Sequence, residues 1–251
     1  MPLKPLRQRL RDSEPLLATF SILRSAESVE IVALAGFDAI ILDLEHGPYG
    51  VETLGPLILA AHARGIHAIA RVLKNDAAMI GAVLDAGADG VLVPQVSTPT
   101  EAQAVVAAAR FAPEGARGAN SWVRAAGFNG TPEWFARANA EVAVIVMIEG
   151  RTGADNAEAI MATPSLDGVF LGPVDLSHAL GVPGQIDHPL VLDKMTGVID
   201  EAKRHSLATA VFAPTPQGAR RWMELGVRLV ACGVDTGHLF QALRSAAAAV
   251  R

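Results

Sequence analysis

One short pattern recurs four times along this chain. It reads AGFDAIILD (35–43), AGADGVLVP (86–94), PSLDGVFLG (164–172) and LGVRLVACG (225–233). In three of the four a glycine stands where a helix must end, and glycine accepts the left-handed backbone that such an ending uses. A short apolar, β-branched-rich run follows each time, which reads as a buried parallel strand. A helix end followed by a buried strand is half of a βα unit. A full pass predicts eight strands, near 17–21, 39–42, 67–71, 90–93, 143–147, 168–171, 208–212 and 229–232. Alanine-rich helical stretches separate them, among them 100–110 and 190–205. Eight alternating units in 251 residues fit a (β/α)8 TIM barrel, read here as one domain over 1–251. A doubly wound open sheet is the rival. It usually carries a glycine-rich phosphate loop after its first strand, and this chain has none.

Composition narrows the function classes. Apolar residues make up 51% of the chain, enough for a large core. No apolar run reaches the length of a membrane span, and the basic N-terminus lacks the apolar stretch of a signal peptide. A net charge of −5 argues against a nucleic-acid partner. The single cysteine, Cys232, excludes an intrachain disulfide and a cysteine-based zinc site, so a reducing cytoplasm is the expected compartment.

Barrel enzymes place their chemistry on the loops after the strands. The second strand runs into Asp43, Glu45 and His46, and the third ends at Arg71. The fourth ends at Pro94-Gln95 and the fifth leads to Glu149. The sixth leads to Gly172, Pro173, Val174 and Asp175, and the seventh to Ala213-Pro214. Glu149 and Asp175 close neighbouring strands, with no soft ligand beside them. Paired carboxylates of this kind suit a hard divalent cation with open positions for substrate and water. Each acid alone also reads as a helix cap. An Asp43–His46 pair would give an oriented imidazole titrating near neutrality. Arg71 would stabilise an oxyanion, and the amides of Val174 and Asp175 would hold a carboxylate. Pro173 has no amide to give. The longest irregular stretch, 111–131, is expected to serve the active face.

These pieces together, with Ala70-Arg71-Val72, DAGADGVLVP (85–94), Arg117-Gly118 and Ile148-Glu149, resemble the HpcH/HpaI aldolase family over about residues 16–237. The resemblance implies a phosphoenolpyruvate/pyruvate-type barrel and a class II pyruvate aldolase. Such an enzyme cleaves 4-hydroxy-2-oxo acids to pyruvate and an aldehyde through a metal-stabilised enolate, and runs the reverse addition. It implies Glu149 and Asp175 as ligands of a magnesium, manganese or cobalt ion, and His46 with Asp43 as the acid/base pair. Arg71 becomes the group on the pyruvate carbonyl oxygen, with Gly172, Pro173, Val174, Asp175 and Ala213 around the substrate. It also implies a homohexamer, a trimer of dimers, in which the last helix (234–250) is exchanged between subunits. The pattern from Arg117 through Arg124 to Phe128 is closer to the branch that cleaves keto-deoxy sugar acids. Met147 departs from the family, where many members carry glutamine. Two other readings remain open at this point, a lyase of the citrate-lyase or malyl-CoA type and a barrel that binds a 2-oxo acid without turning it over.

Overall fold

A computed structural model describes residues 3–12 and 14–251. Eight parallel strands close in sequence order into one barrel, which excludes the open sheet. The strands are β1 (Leu16–Ser21), β2 (Ala39–Asp43), β3 (His67–Arg71), β4 (Gly90–Val93), β5 (Ala143–Ile148), β6 (Gly168–Leu171), β7 (Ala208–Ala213) and β8 (Leu229–Val234). The helices before β5 are α1 (Leu6–Arg9), α2 (Ala26–Leu34), α3 (Leu54–Ala63), α4 (Ala77–Asp85), α5 (Pro99–Ala109) and α6 (Pro132–Glu141). After it come α7 (Arg151–Asp155), α8 (Ala157–Met161), α9 (Pro173–Ala179), α10 (Pro189–Arg204), α11 (Pro216–Glu224) and α12 (Asp235–Val250). Several strands run a residue or two past the sequence reading, so Asp43 and Ala213 are strand residues rather than loop residues.

Alternation along each strand divides the core in two. Leu16, Ala18, Phe20, Ile41, Ile69, Leu92, Ile145, Met147, Phe170, Ala210 and Ala231 fill the barrel interior. Their neighbours Ile40, Leu42, Ala70, Val91, Val93, Val146, Val169 and Val211 pack under the helices. Leu6 and Leu10, from and beside α1, join the interior set and plug the N-terminal end. Fully burying one such leucine contributes about 1.5–3 kcal/mol.

The repeat has a physical role at that N-terminal end. Gly36, Gly87 and Gly226 take φ values of 92°, 102° and 89°, and Ser165 fills the same place in the third copy at 61°. Two residues on, the aspartate of the first three copies turns its carboxylate onto the adjacent strand. Asp38 accepts the Leu17 amide at 2.8 Å, Asp89 that of Ala68 at 2.8 Å, and Asp167 that of Val144 at 2.9 Å. The acid thus pins the start of one strand to the next. Asp167 also receives Arg7 and the fully buried Arg110.

Within the chain the stretch 111–131 lines neither cavity at the barrel mouth. Phe111 packs edge-on against Trp134 and Phe135, Arg117 stacks over Phe111 and pairs with Asp85, and Trp134 Nε1 donates to the Ala125 carbonyl. This separate aromatic cluster holds the segment against the barrel's flank.

Candidate active site

Strand parity carries the site residues to the barrel mouth. Asp43 follows Ile41 by two residues, Arg71 follows Ile69, Glu149 follows Met147, and Gly172 follows Phe170. Each therefore continues an inward-facing row. Asp43 and Arg71 are also register partners on β2 and β3. That register explains their bidentate pair, Arg71 Nε to Asp43 Oδ1 at 2.8 Å and Nη2 to Oδ2 at 2.6 Å. Arg71 Nη1 reaches Glu45 Oε2 at 2.9 Å, and the guanidinium lies 4.6 Å above the Phe20 ring centre. Burial works against its charge, but Asp43, Glu45 and Glu149 outweigh that and raise its pKa. A guanidinium carries five N–H bonds, so after these contacts one N–H on each terminal nitrogen is left for a ligand.

The expected Asp43–His46 side-chain pair does not form. Both Asp43 oxygens go to Arg71, and Oδ1 also accepts the backbone N–H groups of Glu45 (3.0 Å) and His46 (3.3 Å). Such a turn, closed by its own aspartate, orients the loop through the backbone. The His46 side chain is exposed in the mouth, next to Glu45. Burial is the main reason the Glu45 carboxyl titrates above its usual range, with Asp43 adding to it.

Glu149 is 7% exposed and accepts the Gln95 amide on Oε1 at 2.8 Å. Burial pushes its carboxyl up to about 7, and the nearby charges of Asp175 and Glu45 add to the rise. Gly172 lies between the two carboxylates. A Cβ there would stand 3.0 Å from Glu149 Oε2 and 3.8 Å from Asp175 Oδ2, so glycine keeps open the space both acids face. Hard oxygen donors around a cleared space fit a divalent cation. Among the described residues no group of three or more His, Cys, Asp or Glu gathers to hold a metal.

Two adjoining cavities share His46 and Asp175. One, of about 380 Å³, is polar, lined by Glu45, His46, Gln95, Ser97, Glu149, Gly150 and Asp175. The other, of about 330 Å³, holds Arg71, Asp43 and the Gly172–Asp175 turn against Phe20, Met147, Phe170 and Phe212. A groove of 610 Å³ on the flank and one of 710 Å³ at the barrel's N-terminal end are larger, so volume does not pick the site; the meeting of strand tips does. Ala213 lies outside these cavities. Its methyl packs under the helices, and Phe212, of opposite parity, lines the mouth instead.

Sequence reasoning gave no role to Gln95 or Tyr49. Gln95 sits at φ 59°, rare for a residue with a side chain, and its carboxamide donates to Glu45 Oε1 at 3.3 Å. Its place at a strand tip was the available signal. Tyr49 gave none.

The sequence model of the HpcH/HpaI aldolase/citrate lyase family matches residues 17–242. The chain belongs to this family. It is 41% identical over 210 residues to a 5-keto-4-deoxy-D-glucarate aldolase of Klebsiella pneumoniae subsp. pneumoniae, covering 84% of this chain and 82% of that one. A crystal structure of a family protein from Burkholderia cenocepacia J2315 superposes with a TM-score of 0.93 at 37% identity, covering 98% of both chains. The citrate synthase SbnG superposes at 0.90 with 28% identity, over 98% of this chain and 97% of its own. Among the described residues no helix is long and apolar enough to cross a membrane.

Proposed function

We propose that this chain is a divalent-metal-dependent aldolase. It would cleave a 4-hydroxy-2-oxo acid of the keto-deoxy sugar acid type to pyruvate and an aldehyde, and catalyse the reverse addition. The observation that carries this is the meeting of Glu149, Asp175, Arg71 and His46 at one barrel mouth. The 5-keto-4-deoxy-D-glucarate aldolases among its relatives support the substrate class.

Glu149 and Asp175 would hold a magnesium, manganese or cobalt ion. That ion would supply Lewis acidity to the 2-oxo group of the substrate. Arg71 has two N–H groups to spare and is locked by Asp43 and Glu45, so it can hold the carbonyl oxygen as negative charge develops there. The Gly172–Asp175 turn supplies the amides of Val174 and Asp175 for the substrate carboxylate. Pro173 sets that turn's direction and donates nothing. His46 is the acid/base in this reading. It takes the proton from the 4-hydroxyl during cleavage and moves protons at the pyruvate methyl. Asp43 serves it by shaping the loop.

We read residues 1–251 as one cytoplasmic barrel domain that works as a homohexamer, a trimer of dimers. The exposure of Leu239, Phe240 and Leu243 on α12, at 50–61%, supports an exchange of that helix between subunits. Pyruvate release from 5-keto-4-deoxy-D-glucarate, with and without a chelator, tests the function. Metal-dependent release is expected. Inertness toward this and other 4-hydroxy-2-oxo acids, with turnover of a coenzyme A thioester instead, would overturn it.

A further inference from the structure

The loop after β2 folds back on itself. Its return is marked by Gly47, where a Cβ would stand 2.0 Å from the Asp43 carbonyl oxygen and 3.0 Å from Tyr49 Cε1. Only glycine allows that approach, and it brings the Tyr49 ring back over Asp43. The Tyr49 hydroxyl then makes two bonds. It donates to the Ser21 carbonyl at 2.7 Å and accepts the Asp43 backbone N–H at 3.0 Å. Both ends of this bridge continue. On one side the Asp43 carboxylate holds Arg71 through two short bonds. On the other, Ser21 Oγ donates to Asp235 Oδ2 at 2.7 Å, and Asp235 also accepts the amides of Ile22 and Leu23, each at 3.1 Å. Asp235 is the first residue of α12 and is buried. One run of hydrogen bonds therefore joins α12, the end of β1, the end of β2 and the arginine at the end of β3.

We propose that Tyr49 is a positioning residue for Arg71, whose hydroxyl fixes the Asp43–Arg71 pair and ties it to the base of the C-terminal helix. The proposal rests on the aldolase reading only in taking Arg71 as the group that meets the substrate. Asp43 is the last residue of its strand, and past it one more backbone bond, from the Leu44 amide to the Arg71 carbonyl at 2.9 Å, ties the start of the loop to β3. Its carboxylate is aimed by the loop's own amides, and the Tyr49 bridge is what anchors that loop to β1. Burial raises the Tyr49 phenol above its ordinary range, so the hydroxyl stays protonated and keeps both bonds. His46 lies between the two anchors of the same loop, so the bridge steadies the imidazole's backbone as well.

The test uses the full chain with Mn²⁺ and the Tyr49→Phe variant, which keeps the ring and loses the hydroxyl. Exchange of the pyruvate methyl protons is expected to slow about tenfold in kcat, the scale of one lost hydrogen bond with its partners left buried. KM for pyruvate should stay close to wild type, and the melting temperature should fall by only about 2–4 °C, the size of one lost buried hydrogen bond in a chain of this length. In an Arg71→Lys background the same change should cost less than about twofold, since coupled residues are not additive. Asp235→Asn should act in the same direction and more weakly. A second readout does not need turnover. The Arg71 Nε–H proton, assigned by its loss in Arg71→Lys, should exchange with solvent faster in Tyr49→Phe. Unchanged protection of that proton would overturn the proposal even if the wild type proved inactive, an outcome that would count against the aldolase reading instead. A wild-type exchange rate in Tyr49→Phe, or an equal loss in the Arg71→Lys background, would also overturn it. If Tyr49→Phe folds poorly, 3,5-difluorotyrosine at position 49 keeps ring and hydroxyl but weakens the acceptor. A slowed reaction there supports the proposal and an unchanged one contradicts it.

Discussion

The two ends of the barrel use the same side-chain types to opposite effect. At the N-terminal end the aspartates Asp167 and Asp89 are engaged by protein donors. Asp167 receives Arg7, Arg110 and the Val144 amide, and Asp89 receives His62 and the Ala68 amide. At the C-terminal end Glu45, Glu149 and Asp175 share the mouth with one arginine, which Asp43 already holds. Burial there leaves Glu149 titrating near 7, whereas Asp89 is held at about 2 by the hydrogen bonds from His62 and the Ala68 amide against the cost of burial. An end whose charges are closed by protein atoms confers stability. An end with carboxylate left over is arranged for a cation and a substrate from outside.

Substitutions at the two ends should separate activity from stability. His46→Ala should lower turnover and pyruvate methyl exchange by about 10²–10⁴-fold, with metal affinity nearly unchanged in a calorimetric titration. Metal loss in that variant, with exchange restored by excess metal, would make His46 a ligand. Asp167→Ala strands Arg110 in the interior and should destabilise the fold by about 3–5 kcal/mol in a denaturant titration. Its turnover per folded molecule should hold. Arg71→Lys keeps the charge but loses the fork shared with Asp43 and Glu45. Steady-state kinetics should show a loss of about 2–4 kcal/mol of transition-state stabilisation, and a drop below fivefold would make Arg71 structural.

The smallest effect is a pH dependence of stability from the His62–Asp89 pair. Asp89 is depressed below its ordinary 3.8, so its contribution is complete above that value and fades as pH falls toward 2. His62 is raised above 6.5 by its hydrogen bond to Asp89, so its contribution is complete below 6.5 and fades as pH rises through the raised value. His62 is partly exposed, and solvent screening limits the alkaline step to under about 1 kcal/mol. Melting curves across pH should lose that step in His62→Gln. A step of the same size in the variant would assign it elsewhere.

Much of this was legible in the chain, for identifiable reasons. The repeat announced the βα units because a helix end, a left-handed residue and a buried strand each leave a local signature, and all eight strands fell where their apolar runs lie. Strand parity then carries Asp43, Arg71 and Glu149 inward. What local pattern cannot give is the partner of a polar group across strands. Sequence proximity points Asp43 toward His46, while the register sets Arg71 beside it. Tyr49 and Gln95 act through bonds to residues 28 and 54 positions away, and no spacing rule reaches that far. The length and irregularity of 111–131 point to the active face, yet its aromatic residues give it a small core of its own on the flank.

On the proposed reading the mouth's surplus carboxylates hold a cation that the chemistry needs, and the two roles fail together. That link is tested most directly by titrating Mn²⁺ calorimetrically into metal-stripped protein and its Glu149→Gln and Asp175→Asn variants, with pyruvate methyl exchange followed in the same samples. One ion per chain is expected, with binding that weakens as pH falls below about 7 as Glu149 takes up its proton, and with loss of both binding and exchange in either variant. Exchange that persists in the stripped wild type, or in both variants without bound metal, would contradict it.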